Sequence, residues 1–170
     1  MKRSRRPIRC RLGNAGNWCG NARRALAGHP ALNVLVNNAG VYHSGKIASH
    51  RDLADAERMI ATNVLGPIRM TNALIDHLSV QADAATINVS SALAFVPYPA
   101  APTCSATKAA IHAYTAAMRP LLEGKVEVIE IVPPQVQTEL WPGQSTDPNS
   151  MPLDADNVKS PLRSVCSGLF

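Results

Sequence analysis

The stretch Thr86–Met118, TINVSSALAFVPYPAAPTCSATKAAIHAYTAAM, decides the fold. Ile87 and Val89 alternate with polar neighbours at the two-residue period of a strand. Pro97, Pro99 and Pro102 make a stiff loop, and an alanine-rich helix follows. Two polar features stand where the strand ends and the helix begins: Ser90-Ser91, and Cys104 with Lys108. In a parallel α/β sheet the carboxyl ends of the strands are where ligands bind, so this is the layout of an active site.

Working outward, VEVIEIV (Val126–Val132) reads as a further strand, and PPQVQTEL (Pro133–Leu140) leaves its carboxyl end as a rigid turn. Upstream, LNVLVNNAG (Leu32–Gly40) reads as a strand that is apolar on both faces and breaks at Asn37-Asn38 and Gly40. Such a strand implies helices above and below it, and hence a parallel sheet. Between these strands Leu53, Ala56, Ile60, Val64, Ile68 and Leu74 recur near helical spacing over 52–78, and Gly66-Pro67 interrupts the pattern. Pro67 has no N–H, so the Asn63 carbonyl loses its helical partner. That leaves either a simple kink or a carbonyl freed for use at the end of the sheet. A short helix over Ala22–Gly28 is closed by Gly28 and Pro30.

A length of 170 residues suits one domain, and 46% hydrophobic with 17% charged residues is a globular composition. No apolar run approaches the roughly 18 residues that span a bilayer, and the first residues have no apolar signal core. The four cysteines (Cys10, Cys19, Cys104, Cys166) show neither CxxC spacing nor neighbouring histidine pairs, which points away from zinc and disulfides and toward a reduced, cytoplasmic setting. The net charge of +5 is concentrated in residues 1–24, which hold eight basic residues and no acid, against nine basic and twelve acidic residues in the remainder. Residues 1–24 therefore read as a basic, disordered arm, 25–142 as the folded core, and 143–170 as a loose tail with at most one helical turn. Gly13, Gly16 and Gly20 match no phosphate-loop spacing. Clustered arginine in the arm makes nucleic-acid binding the rival role, although the near absence of aromatic residues there argues against it.

LNVLVNNAG, the interrupted helix carrying TNVLGP, INVSS, ATKAA and PPQVQTEL resemble, in order and spacing, the short-chain dehydrogenase/reductase family over roughly Pro30–Leu140. The resemblance implies a partial Rossmann-type doubly wound parallel sheet of about three strands with flanking helices. It implies NAD or NADP as cofactor, a small carbonyl or alcohol as substrate, and a homo-oligomer built through helices 52–78 and 103–119. It gives Asn38, Ala39 and Gly40 to the cofactor's adenosine side, and Pro133, Val136 and Thr138 to the nicotinamide. The main-chain carbonyl of Asn63 would hold a relay water. Ser91 would hydrogen-bond the substrate carbonyl, and Lys108 would contact the nicotinamide ribose.

Two departures stand out. The family pattern Y-x-A-[ST]-K reads Cys104-Ser105-Ala106-Thr107-Lys108, and Cys104 lies thirteen residues after Ser91, the family's own spacing, so a cysteine occupies the catalytic tyrosine's place. A tyrosine there shares a helix face with the lysine, whose ammonium lowers a phenol pKa from about 10 toward working pH. A thiol near 8.5 can donate a proton but is shorter than a phenol. Tyr98 is a distant substitute, and Tyr114 reads as packing. The second departure is the missing TGxxxGxG strand–loop that anchors the pyrophosphate in the family. The expectation is a truncated oxidoreductase of low activity; the alternative is a non-catalytic remnant or binding protein.

Overall fold

The structure is a computed structural model that describes residues 18–45, 47–50, 52–138, 140, 143–148 and 150–152. Of the disordered arm expected over residues 1–24, residues 18–24, Gly20 among them, lie in a helix; residues 1–17 and the tail beyond 152 lie outside the described residues.

Three parallel strands form one sheet in chain order: β1 (Val34–Asn37), β2 (Ala85–Val89) and β3 (Glu127–Ile131). Val34 pairs with Ala85 and Asn37 with Asn88; Ala85 pairs with Glu127 and Val89 with Ile131. All three stretches expected to be strands are strands; β1 and β3 are shorter than LNVLVNNAG and VEVIEIV, and β2 begins one residue before Thr86.

The helices are α1 (Trp18–Gly28), α2 (Ala54–Ile60), α3 (Gly66–Leu78) and α4 (Pro102–Leu122). Helix α1 starts four residues earlier than the Ala22 expected from sequence. The single helix expected over 52–78 is two helices joined by a π-helical turn, Ala61–Leu65, in which the Gly66 N–H reaches back five residues to the Ala61 carbonyl. Pro67 explains the break: it supplies no donor for the Asn63 carbonyl, so the regular ladder cannot run through this point. Helix α4 opens on Pro102, whose missing N–H would be unsatisfied in a first turn anyway. The chain reverses beyond it at Gly124, φ +72°, a conformation that favours glycine.

Polar side chains inside the core fix how helices meet the sheet. Asn37 Nδ2 donates to Asn88 Oδ1 (2.8 Å) and to Thr71 Oγ1 on α3 (3.3 Å), and Asn88 Nδ2 donates to Thr115 Oγ1 on α4 (2.9 Å). Asn37 and Asn88 are paired neighbours, so α3 and α4 cover the same face. Helix α1 lies alongside α3, and Ala22 joins Leu35, Met70, Leu74, Leu78, Ala84 and Val126 in one core cluster. Glu130 on β3, with its side chain buried, is tied to α4 through His112 Nδ1 at 2.9 Å and Arg119 at 3.8 Å.

On the other face of the sheet Val34 and Val36 are 41% and 37% exposed, and Ile87, Val89, Ile129 and Ile131 are half-buried. The expectation of helices above and below is thus met on one side only among the described residues. The alternation of apolar residues was read correctly; what it does not carry is whether a second layer is present to cover them. After β3 the chain forms a bridge between Val136 and Met151 around a single helical turn at Gln144–Thr146.

Candidate active site

The parallel register brings the carboxyl ends of all three strands to one rim, and the residues singled out from sequence gather along it. Lys108 lies one and a half turns into α4, with its ammonium turned back onto the sheet. Its Nζ donates to the Val89 carbonyl, the last residue of β2, at 3.0 Å. Burial pushes the Lys108 pKa below the ordinary lysine value, partly offset by the Cys104 thiolate. Cys104 is one turn earlier on the same helix face, 4% exposed, and free. Burial pushes its thiol pKa up, with the Lys108 ammonium pulling down by less.

Ser91 leaves β2 in extended backbone and accepts the Leu93 N–H on its Oγ at 3.3 Å, capping the short helical turn Ala92–Ala94. Its hydroxyl proton remains available for donation, and it stands two residues beyond the carbonyl that holds Lys108.

Asn63 does more than its sequence suggested. It is 3% exposed on the π-helical turn. Its carboxamide pairs with both backbone groups of Val41, accepting the N–H at 2.8 Å and donating to the C=O at 2.9 Å. It also donates to Thr107 Oγ1 at 3.2 Å, and Thr107 Oγ1 donates to the Cys104 carbonyl at 2.7 Å. One side chain therefore ties the loop after β1 to the first turns of α4. The sequence pointed to the Asn63 main chain; its side-chain role has no local pattern to betray it.

A second anchor holds the same loop, the Gly45 N–H donating to the Ala100 carbonyl at 3.0 Å. Between the two anchors lies Tyr42, which sequence reasoning passed over. Together with Val41 and Leu93 it packs on the buried cluster Met59, Ala101 and Cys104. Burial raises the Tyr42 phenol pKa, and the Cys104 and Tyr98 charges raise it further.

The loop after β3 is arranged around a residue that was also missed. Buried Gln144 donates to the Val136 carbonyl (2.7 Å) and accepts the Thr138 hydroxyl on Oε1 (2.8 Å). Thr138 Oγ1 also accepts the Leu140 N–H at 3.3 Å. Thr138 and Val136 are thus engaged with Gln144, and a glutamine in a polar tail gives no sequence signal for this. Pro133 and Asn38 are half-buried, and Ala39 is exposed.

The donor set can be tested against a nicotinamide dinucleotide. An ammonium carries three donors, and Lys108 has one oxygen acceptor, Val89, among the described residues. That leaves N–H groups for ribose hydroxyls. At Gly40 an added Cβ would sit in ordinary van der Waals contact with Asn63 Oδ1, at 3.6 Å. The nicotinamide–ribose half fits. For the pyrophosphate, the described residues offer no glycine-rich turn between a strand and a helix N-terminus. The described residues contain no group of three or more metal-ligating side chains, and no described helix is long and apolar enough to cross a membrane.

Comparison with known proteins agrees with this geometry. The family model for short chain dehydrogenase matches residues 7–149. An uncharacterized oxidoreductase of Bacillus subtilis strain 168 is 40% identical over 119 residues, 68% of this chain and 47% of its own. Serine 3-dehydrogenase of Rhizobium radiobacter is 34% identical over 122 residues, 69% of this chain and 49% of its own. The crystal structure of a short chain dehydrogenase from Burkholderia cenocepacia J2315 in complex with NADP superposes with a TM-score of 0.72 at 28% identity, over 86% of this chain and 61% of that one. This chain spans about half the length of those two curated relatives.

Proposed function

This chain belongs to the short-chain dehydrogenase family, and on that premise we propose that it is the lysine-bearing, nicotinamide-side portion of an NAD(P)-dependent oxidoreductase acting on a small carbonyl/alcohol pair, with impaired turnover. The observation that carries the reading is the Lys108 ammonium seated on the Val89 carbonyl at the mouth of β2, with the Cys104 thiol behind it.

Each residue has a definite task. Lys108 would hold the ribose of the dinucleotide and supply positive potential at the reacting oxygen. Ser91 would donate its hydroxyl proton to that oxygen. Asn63 would keep the loop after β1 in register with α4, and with it the wall of the pocket. The chemistry that a nicotinamide dinucleotide supplies when bound is hydride transfer. Asn38, Ala39, Gly40, Pro133, Val136 and Thr138 remain the proposed cofactor contacts; Thr138 would have to exchange its bond to Gln144 for one to a carboxamide. A reducing, cytoplasmic compartment suits the free buried thiol.

Impairment follows from two independent losses. Among the described residues no glycine-rich cradle offers the backbone N–H groups and helix dipole that would hold a pyrophosphate. With cysteine in place of tyrosine, the alkoxide loses the family's acid on α4, a kind of group that commonly contributes roughly 10² to 10⁴-fold. Fluorescence titration with NADPH and NADH, and carbonyl-reduction assays of the chain and of Cys104→Tyr, test this reading. We expect binding weaker than micromolar, trace turnover at most, and no rescue by Cys104→Tyr, because the cofactor anchor is still lacking. Micromolar affinity with ready turnover in the unmodified chain would overturn it.

A further inference from the structure

We propose that Tyr42 is the proton donor of this site, filling from the loop after β1 the role that Cys104 cannot fill from α4. The inference rests on the dehydrogenase reading above and names the acid that the reading lacks.

The placement is over-determined. The backbone N–H and C=O of Val41, immediately before Tyr42, are both taken by the buried Asn63 carboxamide, at 2.8 and 2.9 Å. Three residues after Tyr42, the Gly45 N–H is fixed to Ala100, two residues before the start of α4. A short segment pinned at both ends has little freedom, and its Tyr42 side chain packs on the cluster Met59, Ala101 and Cys104. A thiol is several ångströms shorter than a phenol, so cysteine at position 104 leaves room that a tyrosine there would take. Tyr42 packs on the cluster that includes Cys104, near enough for the Cys104 charge to act on its phenol. Leu93 packs on the same cluster, and its N–H is held by Ser91 Oγ. Tyr42 and the Ser91 turn therefore meet at one cluster, with Lys108 one turn beyond Cys104 on the same helix.

Tyr98 competes less well. It is 52% exposed, and what is fixed is its backbone, whose N–H donates to Ser105 Oγ at 3.0 Å. Tyr114 is about a third of a turn off the Lys108 face and nearly three turns beyond Cys104.

The charged and titratable groups that act on Tyr42 are Cys104 and Tyr98, with Lys108 acting through Cys104. All three contributions to the Tyr42 shift favour the phenol over the phenolate. A group so placed is a donor through the neutral range. In the reductive direction the Tyr42 O–H bond would break and a new O–H bond would form on the substrate oxygen, as the carbonyl carbon gains the hydride that a reduced dinucleotide would supply and be oxidised in giving. The product is an alcohol, and the Tyr42 phenolate would regain its proton from solvent. In the oxidative direction Tyr42 must first lose its proton, so oxidation should rise steeply only at alkaline pH.

The test compares the full chain with Tyr42→Phe, Tyr98→Phe and Cys104→Ala by two readouts. The first is spectrophotometric titration of the phenolate band in the ligand-free protein. One of the three tyrosines should titrate above the ordinary phenol range, vanish in Tyr42→Phe, and titrate lower in Cys104→Ala. The second is carbonyl reduction at saturating reduced dinucleotide. Tyr42→Phe should lower kcat by about 10²-fold with little change in KM, while Tyr98→Phe stays within about twofold, on the scale of the general-acid contribution. Turnover in the unmodified chain that survives Tyr42→Phe would overturn the proposal and leave the dehydrogenase reading intact. A high-titrating phenol that is indifferent to Cys104→Ala would overturn the placement. A complete lack of turnover in the unmodified chain would overturn Tyr42 as a working proton donor and leave the impaired-dehydrogenase reading standing.

Discussion

Burial and a neighbouring charge oppose each other at Cys104, and burial wins. Its folded pKa is raised, so the fold's preference for the thiol stabilises the protein fully below the ordinary thiol value, about 8.5, and is lost as pH climbs through the folded one. Lys108 runs the other way. Its folded pKa is lowered, so its stabilising contribution is complete above the ordinary value near 10.4 and is lost as pH falls through the folded value. At pH 8 the folded Cys104 should therefore be poorly nucleophilic. Iodoacetamide should modify it about tenfold more slowly in the native chain than in urea, with peptide mass spectrometry separating it from Cys10, Cys19 and Cys166. Equal rates would mean that the thiol is neither buried nor held protonated. The Cys104–Lys108 relation is legible in sequence because four residues along a helix always share a face. Tyr42 and Gln144 are not legible in that way. Each reaches its partners through a loop, and loop geometry follows no period that a spacing could reveal.

The joint between α2 and α3 shows how elements trade local regularity for a tertiary grip. Asn63 makes three side-chain hydrogen bonds from the π-helical turn, each contributing about 1 kcal/mol net. The missing Pro67 donor forfeits one bond of similar size. The clamp outweighs the proline, so it is the clamp that should hold the turn. Asn63→Ala should cost about 2–4 kcal/mol by urea unfolding and accelerate hydrogen exchange at the Val41 amide. Pro67→Ala should leave that amide protected. The reverse ranking would make the turn a mere accommodation of proline. Sequence located this joint through Gly66-Pro67, and located the three strands through the apolar run at Leu32–Val36, the alternation of Ile87 and Val89, and VEVIEIV. It could not give the extra residue per turn, because a π turn is chosen by what the side chains grip rather than by propensity.

At the level of the whole molecule, the sheet has one side packed and one side open. Val34 and Val36 stand on that open side and on β1, an edge strand among the described residues with unpaired backbone groups. Such an edge invites pairing with another chain. Helix α4 also exposes Ala109, Ala110, Ala113 and Ala117, small enough for close approach. Sedimentation at high concentration should show association. Val36→Lys should reduce it while shifting Tm by only a few degrees, since the residue is already 37% exposed. If Ala113→Glu reduces it instead, the helix face is the surface used; a clean monomer in the unmodified chain would count against both. The parallel register has a further, practical consequence. The candidate site lies at the rim where the strands end, and the turn around Gly124 lies at the rim where they begin. Its exposed neighbours Glu123 and Lys125 can carry a graft without disturbing the positive φ of the glycine. A fluorophore or surface tether grafted there would immobilise the protein with its mouth facing the solution.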